Sequence, residues 1–120
     1  MVMSIGDIRL DAVFFQTESG TEPVRKWLKS LSDSHKKAIG EDIKTVQFGW
    51  PLGMPLVEKI EPYLWEVRSH VHDGIARVLF TVDGQTMILL HGFIKKSRKI
   101  PQAEIATARS RLKQYQEAGA

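Results

Sequence analysis

Cysteine is absent from this chain of 120 residues, which leaves it no disulfide framework and no thiolate zinc site. No apolar run approaches the roughly 20 residues that a membrane-spanning helix needs. Met1 to Asp11 also lack the basic start, long apolar stretch and small-residue cleavage site of a secretory leader. A cytoplasmic protein with no membrane partner is the expectation. No pair of histidines has the spacing of a zinc signature, and there is no nucleophile elbow, glycine-rich phosphate loop or clear serine nucleophile. Neither a metal nor another cofactor is expected. Acidic residues are missing from the whole stretch between Asp83 and Glu104.

Within that stretch stand four cations in five residues, Lys95, Lys96, Arg98 and Lys99, between the apolar run Met87 to Leu90 and Pro101. Like charges held so closely repel one another, and a phosphate-bearing partner is the economical counterweight; a solvated basic turn is the plainer alternative. The net charge of +3 and the pI near 9.3 are only mildly basic, so the argument rests on where the charges sit. An apolar fraction of 42% and a charged fraction of 26% belong to an ordinary globular protein, and the length predicts one domain over residues 1–120.

Arg9 to Gln16 reads as a first strand before the turn residues Ser19 and Gly20. Thr21 and Pro23 open a short helix whose apolar residues Val24, Trp27, Leu28 and Leu31 share one face. Ser32 caps a second helix, with Ile39, Ile43 and Val46 on one face, ending near Phe48 and Gly49 before Pro51. A helical hairpin follows from this, and a connecting loop carries Gly53 and Pro55. The period then changes to two. Leu64 to His70, Ile75 to Val82 and Thr86 to Phe93 read as three strands joined by His72-Asp73-Gly74 and Asp83-Gly84, an antiparallel meander. Pro101 opens a last helix to about Gln116, with Ile105, Ala108, Leu112 and Tyr115 as its stripe. The expected class is α+β, a layer of helices on a small twisted sheet.

If Trp65, Val67, Val78, Phe80, Ile88 and Leu90 face the helices, alternation puts Glu66, Arg68, Arg77, His91 and Phe93 together on the opposite, exposed face. Arg68 and Arg77 then converge from neighbouring strands, and two guanidinium forks suit a phosphate; a surface ion pair with Glu66 is the alternative for either. Phe93 offers a ring on which an unpaired base can stack, beside its more ordinary role in a core. A cationic, partly aromatic surface without a nucleophile fits a reaction in which the substrate supplies its own. RNA cleavage by the 2′-hydroxyl is one, each cation aimed at the pentavalent phosphate contributing roughly 3 to 4 kcal/mol.

The motifs Leu64-Trp65-Glu66-Val67-Arg68, Ile75-Ala76-Arg77-Val78-Leu79-Phe80, Leu89 through Pro101, Glu104-Ile105 and Ala108-Arg109 resemble, in their order, the phage-derived Gp49-like branch of the RelE/HigB toxins. The likeness covers about Met54 to Arg109. It implies a RelE-like fold and the toxin of a type II toxin-antitoxin pair, a metal-independent endoribonuclease that cuts mRNA, commonly on the ribosome, and arrests growth. It further implies Arg68 and Arg77 as phosphate-binding and transition-state residues and Lys95 and Lys96 as substrate contacts, with Arg98 and Lys99 extending the basic surface. Lys59 resembles the basic residue these toxins place before the second strand. The proton-transfer group varies in the family, and Glu66 and His91 are both candidates. The implied partner is an antitoxin with a helix-turn-helix domain, through which alone operator DNA would be reached. One departure stands out: Pro62-Tyr63 occupies the turn where the family usually has glycine before Leu-Trp-Glu. A catalytically silent RNA- or ribosome-docking protein with the same basic face is the rival reading, and a structural prophage protein is a third.

Overall fold

The computed structural model describes residues 9–119; the stretch read above for leader features therefore lies, up to Ile8, outside the described residues. Strand β1 (Asp11–Phe14) leads through a turn into α1 (Pro23–Lys29) and α2 (Asp33–Gly49). Pro23 starts α1, where its missing N–H costs nothing, and Ser32 caps α2 by accepting a hydrogen bond from the His35 amide at 3.3 Å. Four strands follow, β2 (Val57–Glu61), β3 (Leu64–Val71), β4 (Gly74–Asp83) and β5 (Thr86–Lys95), and α3 (Gln102–Ala118) closes the chain.

The class is mixed α+β, but the sheet has five strands in the order β1-β5-β4-β3-β2. The expected meander is its centre, β3-β4-β5 running antiparallel, with β1 added in parallel on one side and β2 antiparallel on the other. The strand missing from the sequence reading is β2. It is an edge strand between Pro55 and Pro62, and an extra residue between Lys59 and Glu61 breaks its alternation.

Both sheet faces are covered, which corrects the expectation of one open face. Val24, Ile39, Ile43 and Val46 of α1 and α2 pack on Val67, Val78, Phe80, Met87 and Leu89. On the other side Ile105, Ala108 and Leu112 of α3 pack on Leu64, Leu79, Ile88, Leu90 and Phe93. Ile88 and Leu90 thus lie under α3, not against the helical hairpin. The physical reason is a bulge in β5: Leu79 sits opposite His91 and Phe80 opposite Leu89, so Leu90 is the inserted residue and alternation reverses across it. His91 and Phe93 are thereby kept on the side of Arg77. No described helix is long and apolar enough to cross a membrane.

Candidate functional site

Cross-strand register places Arg77 between Phe93 and Arg68, and Glu66 one row further along opposite Leu79 and Glu58. Directly opposed residues share a face, so Glu58, Glu66, Arg68, Arg77 and Phe93 lie on the α3 side. There the charges lock together. Arg68 Nε donates to Glu66 Oε1 at 2.6 Å, and Arg68 Nη2 donates to Glu58 Oε2. Arg77 Nε stands 3.6 Å from Glu66 Oε2, an ion pair beyond hydrogen-bonding distance. Two guanidinium groups and two carboxylates sum to no net charge. Burial pushes the Glu66 carboxyl above its ordinary value, against the opposing pull of Arg68 and Arg77.

Arg77 does not meet the expectation of a substrate contact. It is fully buried, and its Nη2 donates to the carbonyls of Ser97 at 2.7 Å and Arg98 at 3.0 Å. It is a clamp that pulls the segment after β5 down over the sheet. Glu66 is equally sealed, its Oε2 lacking a hydrogen-bond partner as do Arg77 Nε and Nη1. Arg68 retains some exposure, its side chain being 21% accessible.

The clamped segment carries the basic cluster. Lys95, Lys96, Arg98 and Lys99 are all exposed, and none forms an ion pair among the described residues. Buried Ile100 ends the segment before Pro101 and α3. The loop is therefore held at two points, at Ser97 and Arg98 by Arg77 beneath it and at Ile100 in the second core, while its ammonium and guanidinium groups face water.

Other expected members are placed apart. Lys59 lies opposite Trp65, on the face of the helical hairpin, with its ammonium 5.8 Å from the Trp65 ring centre. The residue that β2 turns toward Arg68 is Glu58 instead. Phe93 is buried in the core under α3 and offers no stacking platform in this form. His91 has both ring nitrogens engaged, Nδ1 with Arg111 Nη1 at 3.2 Å and Nε2 with Glu104 Oε1 at 3.3 Å. Because arginine only donates, Nδ1 accepts, and Nε2 carries the proton toward Glu104. Burial lowers the Arg111 guanidinium below its ordinary value. Among the described residues no three His, Asp or Glu side chains group as a metal ion would need.

Sequence reading missed Glu58, Glu104 and Arg111. Glu104 stood inside a quoted motif, and Glu58 needed only the assignment of β2, since alternation then sets it beside Arg68. Arg111 left no local signal.

Residues 26–113, nearly three quarters of the chain, match the family described as phage-derived protein Gp49-like (DUF891). The chain belongs to this Gp49-like family. The matched span runs from α1 into α3 and so contains the charge cluster, its clamp and the basic loop. No curated protein matches the chain significantly.

Proposed function

We propose that this Gp49-like protein is the toxin of a type II toxin-antitoxin pair and acts as a metal-independent endoribonuclease on mRNA. The observation that carries the reading is the clamped basic loop: four exposed cations without an acidic partner among the described residues, fixed over the buried Arg77, whose cross-strand neighbour is Arg68. Family membership supports a toxin-like role, and the RelE/HigB resemblance of the motifs supports RNA as substrate. Lys95, Lys96, Arg98 and Lys99 hold the phosphate backbone, and Arg68 stabilises the phosphorane formed when the 2′-hydroxyl attacks. The reaction is taken to run on translating ribosomes, with a neighbouring antitoxin as inhibitor and cytoplasm as its place.

The sealed state of Arg77 and Glu66 favours one rival, a docking protein that binds RNA without cutting it. Controlled expression with mapping of mRNA 5′ ends separates the two. Wild type should generate new ends, and Arg68→Lys, which keeps the charge beside Glu66 but loses the fork, should generate about 10²- to 10³-fold fewer. Absence of new ends with wild type overturns the enzyme reading. For binding, four phosphate contacts to a single strand predict a slope of log affinity against log salt of about −3, and a flat response would remove the loop as an RNA site.

A further inference from the structure

A 2′-hydroxyl nucleophile needs a group to take its proton, and the two candidates expected from sequence are not placed to do so. Glu66 is fully buried, with Oε1 bound to Arg68 and Oε2 turned to Arg77. His91 is held between Arg111 and Glu104 by both nitrogens. Glu58 differs from both. It stands on the edge strand β2, its side chain is 35% accessible, and it bonds the outer nitrogen of the guanidinium that retains access to water. Glu58 lies directly opposite Glu66, so it shares a face with Arg68, while its neighbour Lys59 points to the other side.

Resting on the ribonuclease reading, we propose that Glu58 is the catalytic proton acceptor, and that in the resting protein its carboxylate occupies the Arg68 donor which the scissile phosphate takes over. The exchange is anion for anion on Arg68 Nη2, while Nε remains fixed by the buried Glu66. The displaced carboxylate stays on the same rim, beside the ribose whose 3′-oxygen carries that phosphate. The 2′-O–H bond then breaks with its proton passing to Glu58, the 2′-oxygen bonds to phosphorus, and the bond from phosphorus to the 5′-oxygen breaks. The 5′-oxygen takes a proton from water and Glu58 returns its own to water. The products are a 2′,3′-cyclic phosphate and a 5′-hydroxyl, with no redox change.

The two halves of the proposal move measurable quantities in opposite directions. In Glu58→Gln the competing anion is gone, so an uncleavable 2′-deoxy oligonucleotide should bind about two- to fivefold more tightly, the equivalent of a partly exposed ion pair. Cleavage of the all-ribose oligonucleotide should fall about 10²-fold or more, as for loss of a general base. Glu58→Asp, which restores a carboxylate on a shorter arm, should recover part of the cleavage, and urea unfolding of each variant confirms that the fold is kept. Unchanged or faster cleavage by Glu58→Gln overturns the proposal, and so does a fall in cleavage matched by an equal fall in binding. A wild-type protein that cuts no RNA removes the ribonuclease reading together with this proposal, whereas wild-type cleavage unaltered in the variant removes this proposal alone.

Discussion

Arg77→Met tests whether the buried guanidinium is an anchor or a substrate contact. Methionine has similar length and fits an apolar site, so the change deletes the charge without opening a large cavity. It leaves the buried Glu66 with Arg68 as its sole cationic partner, and it frees the Ser97 and Arg98 carbonyls. Removing one member of a buried charge pair costs about 3–5 kcal/mol where the other is left uncompensated, and because Arg68 still bonds the Glu66 carboxylate the loss falls at the lower end of that range. The two carbonyls add little to this, because they regain water once the loop lifts. Against a total stability on the order of 5–15 kcal/mol the loss is severe. Urea unfolding followed by tryptophan fluorescence is suited to the measurement, since Trp27, Trp50 and Trp65 all pack against the first core. Adding Glu66→Gln to Arg77→Met should restore part of the loss, with a coupling of about 0.5–3 kcal/mol, because the two side chains share one interaction. Release of the loop has its own readout. Lys95, Lys96, Arg98 and Lys99 are four exposed trypsin sites, and cleavage among them should speed up in Arg77→Met even in the absence of urea. A variant as stable as wild type, with unchanged tryptic cleavage of the loop, refutes the anchor. If that variant also fails to cut RNA, Arg77 acts on the substrate after all.

Two further outcomes follow from packing and from titration. A Cβ added at Gly92 would lie 2.4 Å from two ring carbons of Trp27, so Gly92→Ala must displace the indole; a loss of about 1–3 kcal/mol in urea unfolding, with a shifted tryptophan emission, is expected. Arg109 grips Glu61 through Nε at 3.0 Å and Nη2 at 2.7 Å, tying α3 to β2, and these hydrogen bonds hold the Glu61 carboxyl below its ordinary 4.5. A carboxyl lowered on folding adds stability that is present above about pH 4.5 and lost as pH falls through the folded value. Arg109→Gln should therefore move the Glu61 carbon-shift titration upward and lower stability at neutral pH, with no effect in strong acid.

How much of this was legible in the residues depended on whether period two survived. The hairpins β3-β4 and β4-β5 were readable because Asp73-Gly74 and Asp83-Gly84 punctuate long strands, and both hairpin helices were readable from stripes and the Ser32 cap. Bulges defeated the rest. One in β2 masked that strand between two prolines and so hid Glu58, while Lys59 rested on the family resemblance alone. The other, at Leu90, exchanged the faces assigned to Ile88 and Leu90 while leaving His91 and Phe93 on the side expected for them. The turn before Leu64 shows why glycine is expected there: Tyr63 has φ = 65°, a conformation that glycine adopts without strain and a tyrosine at a cost of about 1–2 kcal/mol.

The coverage of the second sheet face had a signal that alternation alone conceals. Val78, Leu79 and Phe80 are consecutive and apolar, as are Ile88, Leu89 and Leu90, and a strand with one wet face has no reason to keep such runs. The stripe Ile105, Ala108, Leu112 and Tyr115 also needed a surface, and the first face was already taken by α1 and α2. Joining those two observations places α3 over Leu79 and Ile88 and brings Arg77 inside. A fully buried arginine must then find acceptors, and with the Glu66 carboxylate beside its Nε, its Nη2 turns to the backbone of the segment leading into α3. The exposed basic loop and the buried arginine are therefore one device: the interior charge has its hydrogen-bond acceptors because the loop folds over it, and the loop is held down because that charge lies beneath.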